Sequence, residues 1–506
     1  MKRRISTTTT GGLPSIMLIA AGILIQFSPS LKAATADKKI ADSDITFAIE
    51  DGLVLENGVF PNDVDVNTDQ GIVTLSGSVN NLLAQERALK IAESMRGVRG
   101  VINRTKVISA SRPDEDIRKD IAAALSQDPA TQSYKVGVSV NNSVATLTGS
   151  VGSFLEKQLA GRIAKGIKGA KEIVNKVIIN YSAKRSDEEI AADVKARLQW
   201  DIWINGDMVS SAVQNGKVTL TGSVGSAITR SRAYDDAWVN GVTSVDNSGM
   251  TIDPWACDDT RKKAKYAGVP DGDIKKAVLA ELRRDPRISA FSPDVSVEGG
   301  VAILGGDVGN LKAKNAAEQD AKNVVGVVLV DNFLKVRPTE RLTDAQMKSQ
   351  LTAALFWDPL LEGFSVNATV TNRVAYLSGE VGSNFQKAEA QDVASRTKGV
   401  AVVRNRLKIE PEISITYYDL PDYAAYDSPV PFFTDEQIKK NIENGLFWSP
   451  YVDKDDIVVA VDGGVATLTG SVGTWVGWGE VDKDAYTSGA TVVKNQVKVK
   501  NGAWWW

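Results

Sequence analysis

In the stretch VATLTGSV at Val144–Val151, apolar and polar positions alternate, the pattern of a strand that buries one face. Ala145, Leu147, Gly149 and Val151 share one side, and Val144, Thr146, Thr148 and Ser150 share the other. A shorter alternating run, VGVSV, stands just before it. After it the period lengthens: Ala160 and Ala164 lie four apart, which puts small residues on one face of a helix. A last apolar run, EIVNKVII, reads as a closing strand.

The same pattern recurs six times. Its strand appears as GIVTLSGSV from Gly71, SVATLTGSVG from Ser143, GKVTLTGSVG from Gly216, GVAILGGDVG from Gly300, RVAYLSGEVG from Arg373 and GVATLTGSVG from Gly464. A second landmark follows at a near-constant distance: GVRGVIN at Gly97, GAKEIVN at Gly169, GVTSVDN at Gly241, GVVLVDN at Gly326, GVAVVRN at Gly399 and GATVVKN at Gly489. Two landmarks in constant register define a repeating unit. Alanines four apart also recur at Ala88 and Ala92, Ala317 and Ala321, and Ala390 and Ala394.

Each unit opens on a helix. SDEE from Ser186, TDAQ from Thr343 and TDEQ from Thr434 are capping signals, in which a hydroxyl caps the first turn and the fourth residue reaches back. Pro129, Pro286, Pro359 and Pro450 mark where this helix stops, because proline cannot continue it. The order is helix, strand, strand, helix, strand, so the fold class is α/β (α+β), a tandem array of small αββαβ modules. Units are expected at 41–110, 112–181, 185–254, 270–338, 342–411 and 433–502. Linkers are expected at 255–269 and 412–432, and a tryptophan-rich tail at 503–506.

A glycine in the strand-like phrase recurs as Gly77, Gly149, Gly222, Gly306, Gly379 and Gly470. On the alternation it belongs to the face a helix covers, where it lets another backbone approach closely. These glycines are therefore expected to be structural, with the alanine-striped helix as the partner. A phosphate cradle is disfavoured, since the P-loop lysine is absent.

The V-x-L-x-G-x-V strand, followed after a helix by G-V-x-x-V-x-N, resembles the BON domain, a family named for bacterial osmotically inducible and nodulation proteins. The resemblance implies a three-stranded mixed sheet covered by two helices in each unit, in periplasmic or envelope proteins, with attachment to phospholipid membranes as the suggested role. It implies no catalytic residue and no cofactor.

Composition narrows the chemistry. At 506 residues, 43% hydrophobic and 24% charged, the chain has the make-up of a soluble globular protein. Lys2, Arg3 and Arg4, the apolar run Ile16–Phe27 and the small residues from Ala33 to Ala36 have the three parts of a secretory signal peptide over 1–36, so export to the periplasm is expected. Residues 1–33 carry four basic residues and no acid, which leaves a mature chain near −7 from a total of −3. That balance argues against nucleic acid as a partner. There is no histidine, which removes Ser-His-Asp catalysis and most zinc or copper sites. No metal site is expected. DVDVNTDQG at Asp63–Gly71 fails as a calcium loop and reads instead as two strands joined by a turn. Cys257, flanked by Asp258 and Asp259, reads as inert.

Phospholipid membrane or envelope proteins remain as partners, and the candidate residues follow from charge and aromatic content. The second helix of unit two and the turn after it carry Lys157, Arg162, Lys165, Lys168 and Lys171, expected to point to solvent. Trp504, Trp505 and Trp506 suit a membrane–water interface. Trp200, Trp357 and Trp448, at one helix end in three units, are expected to plug the cores of their own units. Non-enzymatic, multivalent binding to membrane or envelope surfaces, in osmotic or envelope stress, is the function expected. The alternative is a periplasmic chaperone or scaffold.

Overall fold

The computed structural model describes residues 40–55, 64–109, 111–128, 130–132, 134–253, 255–256, 268–288, 291–338, 341–410 and 433–499. The signal segment, Cys257 and the terminal tryptophans lie outside the described residues.

Six αββαβ modules follow one another. Their first helices are Asp42–Leu55, Asp114–Gln127, Asp187–Trp200, Asp271–Arg284, Asp344–Trp357 and Asp435–Trp448. Ser186, Thr343 and Thr434 form capping boxes with Glu189, Gln346 and Gln437. The second helices are Leu82–Ser94, Phe154–Lys165, Ala227–Ala237, Leu311–Lys322, Asn384–Arg396 and Trp475–Thr487.

In module 2, strand Lys135–Asn141 runs antiparallel to Val144–Val151, and the latter pairs in parallel with Glu172–Asn175 and Ile178–Ile179. Modules 1, 5 and 6 keep this order; in module 3 the closing strand is the continuous Ser244–Ile252, and in module 4 the last pairing stands apart as Asp307–Val308 with Lys335–Val336. Ala145 and Leu147 turn inward, as the alternation requires, and meet Ala160 and Ala164, all fully buried. The alanines let the second helix sit close to the sheet.

Two side chains hold each module together in a way that explains the landmarks. The aspartate that opens the first helix accepts both backbone N–H groups of the hairpin turn: Asp114 takes Asn142 and Ser143 at 2.8 Å each. Asp42, Asp187, Asp271, Asp344 and Asp435 do the same in their modules. The turn residues have positive φ, as at Gln70 and Gly71, the geometry of a type I′ hairpin. That turn closes the DVDVNTDQG segment as two strands, Val64–Asp69 and Ile72–Val79. The asparagine of the second landmark ties the closing strand to the second helix: Asn175 donates to the Lys157 carbonyl at 2.8 Å and accepts from Val177 N–H.

The reason for the mid-strand glycine differs from the one expected. Gly149 is exposed, no helix covers it, and its φ is +111°. A Cβ there would overlap the carbonyl oxygen of Lys135 on the neighbouring strand. Gly222, Gly379 and Gly470 meet Met208, Ser365 and Asp456 in the same way, whereas Gly77 and Gly306 share the positive φ. The alternation breaks here because the strand kinks at a left-handed residue.

Modules 2, 4, 5 and 6 each have their own apolar core, and modules 1 and 3 share one continuous cluster.

Candidate interaction surface

Helices that cover a sheet still have an outer side, and in this protein that side goes largely to other modules. The three tryptophans at the ends of first helices correct the expectation of self-plugging. Trp448 of module 6 is buried in the core shared by modules 1 and 3. Trp200 of module 3 packs against the core of module 4, and its carbonyl accepts from Val325 N–H at 2.9 Å. Trp357 of module 5 lies under the guanidinium of Arg112 from module 2, 4.2 Å from the ring centroid. Modules thus pair as 1 with 6, 2 with 5 and 3 with 4. Other aromatics join different modules: Phe154 stacks on Trp238 at 4.2 Å, Trp203 meets Tyr451 edge-on, and Trp475 donates to the Val328 carbonyl.

Charged groups fill the remaining contacts. Asp236 is buried between Arg197 at 2.7 Å and Arg284 at 3.2 Å; burial opposes its charge, and the two guanidinium groups outweigh it and hold its carboxyl well below the usual range. Asp201 is pushed up to about 6 by burial, against the pull of Arg232 at 2.6 Å. Lys312 of module 4 pairs with Asp392 of module 5, and within module 5 Arg396 serves Asp392, Glu389 and Asp358. Burial and the nearby Glu389 push Asp358 up to about 8. Asp201, Asp236 and Asp358 are buried, so the pairs define how modules fit rather than supplying large net stability.

The expected basic stripe on module 2 is divided by this packing. Lys165 pairs with Glu86 of module 1 at 3.1 Å, and Lys168 pairs with Glu362 of module 5, so neither is turned to solvent as expected. Lys157 is half-buried, while Arg162 and Lys171 are exposed. Among the described residues, no group of histidine, cysteine, aspartate and glutamate side chains is placed to hold a metal ion. No helix among them is long and apolar enough to cross a membrane.

What the modules present outward is the uncovered face of each sheet. In module 5 the exposed positions of the closing strand are Val402, Arg404, Arg406 and Lys408. Val402 stands beside Val374 and Arg404 beside Tyr376 on the central strand Val374–Val381, and the Arg406 guanidinium lies 5.7 Å from the Tyr376 ring centroid. Glu380, opposite Lys408, and the exposed Glu410 are the acids beside this patch. Arg404 and Lys408 make no ion pair among the described residues. Module 6 repeats the theme with Val458, Val492 and Lys494. Sequence reasoning passed over this face, although the two-residue alternation in VVRNRLKI carries it.

The family model for the BON domain matches residues 41–109, 113–181, 186–254, 270–338, 343–411 and 434–501. The chain belongs to the BON domain family. Among curated proteins it is similar to osmotically-inducible protein Y of Escherichia coli (strain K12), 33% identical over 141 residues, which cover 26% of this chain and 70% of that protein. Two solved structures of CdsD, a structural protein of the type III secretion system of Chlamydia trachomatis, match at 17% and 18% identity. They cover 41% and 42% of this chain and 91% and 100% of their own, each with a TM-score of 0.12. The six BON modules account for both landmarks, and the tryptophans of modules 3, 5 and 6 join them to one another.

Proposed function

We propose that this is an exported, non-enzymatic envelope protein whose BON modules dock on phospholipid membrane or envelope surfaces through outward sheet faces. The observation that carries this reading is the module 5 face, where Val402, Arg404, Arg406 and Lys408 alternate beside Tyr376. Each cation near an anionic bilayer contributes about 1 kcal/mol, and the valines and tyrosine add apolar contact at the headgroup level. Because the modules pack together, several faces are held in fixed relation, so multivalent attachment does not depend on flexible linkers. Arg162 and Lys171 of module 2 add exposed cations, and Trp504, Trp505 and Trp506 would add interfacial aromatics. Similarity to a protein named for osmotic induction supports a role in osmotic or envelope stress.

The test is sedimentation of the full mature chain with cardiolipin-containing and neutral liposomes at low and high salt. Preferential binding to the anionic vesicles, weakened by salt and by Arg404→Glu with Lys408→Glu, is expected. Equal binding by the charge-reversed variant would remove the module 5 face from the membrane site.

A second reading, a scaffold or chaperone for envelope proteins, draws on Phe356 and Phe333, 71% and 65% exposed. Suppression of a client's aggregation without vesicle binding would favour it.

A further inference from the structure

The three module pairs are joined in one way, helix layer against helix layer. Between modules 1 and 6 the Asn444 side chain donates to Asp51 at 3.2 Å, both on first helices. Between modules 3 and 4, Arg284 on a first helix reaches Asp236 on a second helix at 3.2 Å. Between modules 2 and 5, Ala123, Ile163, Ala354 and Val393, one from each of the four helices, line a single cavity of about 280 Å³. Modules of one half meet side by side instead. Lys165 reaches Glu86 at 3.1 Å, Gln158 reaches Asp235 at 2.9 Å and Ser231 reaches Glu93 at 3.2 Å, which closes modules 1, 2 and 3 into a triangle. Each pair is therefore a sandwich of sheet, helices, helices and sheet, and its two open sheet faces look in opposite directions. Three layer spacings of about 10 Å put the open faces of modules 2 and 5 roughly 30 Å apart. That exceeds the Debye length of about 8 Å at physiological salt, so each face meets a charged surface independently of the other.

The face opposite the module 5 patch has a related make-up. In module 2, Lys135, Ser150 and Ile178 stand side by side across the first, central and closing strands, with Lys176 two residues before Ile178 on the same side. Lys135 and Lys176 are exposed, and Ile178 is 64% exposed. Glu172, an acid on this face, lies at the other end of the closing strand, opposite Val144. Module 1, in the same half, exposes Ile102, Arg104, Lys106 and Ile108 at alternate positions; its Asp65 and Asp69 lie on the first strand, beyond the central one.

We propose that one chain bridges two anionic bilayers, with the module 5 face on one and the module 2 face on the other. Bridging rests on the membrane docking proposed above and adds direction to it: a rigid body with docking side chains on opposed sides cannot lay both on one surface. A bilayer is the occupant both faces fit, because each sets exposed cations for headgroup phosphates beside a branched aliphatic side chain.

The test holds biotinylated vesicles of phosphatidylglycerol and phosphatidylethanolamine on streptavidin beads and adds fluorescent vesicles of the same composition with the full mature chain. Recruitment of the fluorescent vesicles is expected, rising with protein and falling again once both populations are saturated. Lys135→Glu with Lys176→Glu should lower recruitment roughly tenfold or more, yet the variant should still sediment with a single vesicle population through module 5. Arg404→Glu with Lys408→Glu should also lower recruitment. The urea midpoint checks that each variant folds, and Lys135→Gln with Lys176→Gln serves if the reversal does not. A parent chain that sediments with vesicles but recruits no second population overturns bridging and leaves docking in place. Recruitment undiminished in the folded module 2 variant also overturns it, since association of two copies docked by one side would then be the link. A parent chain that sediments with no anionic vesicle overturns docking and bridging together.

Discussion

The backbone N–H of Arg96, in module 1, donates a 3.0 Å hydrogen bond to the carbonyl of Trp448, the last residue of the first helix of module 6. Val325 and Trp200 repeat the bond between modules 4 and 3, with the donor again just before a landmark glycine. One end of a BON helix is therefore used as a connector, with the indole as the plug. Trp448→Ala leaves a hole in the core that modules 1 and 3 share. A loss of about 3–5 kcal/mol is expected, read as a lower urea midpoint of the full chain. Trp448→Phe should recover part of it. An unchanged midpoint for the alanine variant would mean that this contact contributes nothing to the body.

Gly149→Ala is expected to destabilise module 2 through the backbone. At φ +111° a side chain is strained, and the Cβ would overlap the Lys135 carbonyl, so the two strands must part. The strain alone costs about 1–3 kcal/mol. Hydrogen exchange should quicken across Lys135–Asn141 and Val144–Val151, while a Gly272→Ala control, with open space around its Cβ, stays near the parent. Unchanged exchange in the Gly149 variant would show that the strand tolerates a side chain there.

Within a module, much of the architecture was legible because its signals are local: capping boxes at Ser186, Thr343 and Thr434, alternation that places Ala145 and Leu147 inward, and alanines that meet them. The kink at Gly149 was not, since alternation assigns a residue to a face on the assumption of an extended backbone. The pairing of Asp114 with the turn at Asn142 and Ser143 was hidden for a different reason: an aspartate opening a helix already has a local explanation. Between modules the sequence carries only the tryptophan excess. Nothing in Lys165 or Lys168 distinguishes a solvated lysine from one that meets Glu86 or Glu362, because the partner lies in another module at no periodic spacing.

The buried charges give stability a dependence on pH. Asp358, raised to about 8 by burial and by Glu389, keeps its proton in the folded protein between about pH 4 and 8, where the unfolded chain has released it. The folded state binds more protons in that window, so this contribution is full below pH 4 and is lost as pH rises through 8. Glu389, Arg396 and Asp392 face the group, with Lys312 behind them. Asp358→Asn retains an acceptor for Leu360 N–H and removes the titration. The fall in unfolding free energy between pH 5 and pH 8.5 is expected to shrink by roughly 1–3 kcal/mol. Asp392 acts in the opposite sense: Lys312 and Arg396 outweigh its burial and hold it low, so its contribution is lost as pH falls. Superimposable stability profiles for parent and Asp358→Asn would show that Asp358 ionises normally.

The pairing of modules 1 with 6, 2 with 5 and 3 with 4 places each connecting tryptophan contact between the first three modules and the last three. Arg96 meets Trp448, Arg112 meets Trp357, and Val325 meets Trp200, so the two halves hold one another at three places, each at the tryptophan that ends a first helix. The polypeptide between modules 3 and 4 should then be dispensable for assembly. Co-expressed fragments 40–256 and 268–506 are expected to co-purify as a one-to-one complex that resists a high-salt wash, because buried aromatic contacts are screened little by salt. Combining Trp200→Ala, Trp357→Ala and Trp448→Ala should release the fragments, while Phe356→Ala, at an exposed neighbouring position, should not. Fragments that fold, as judged by circular dichroism, yet elute separately would show that covalent linkage rather than these contacts keeps the six modules together.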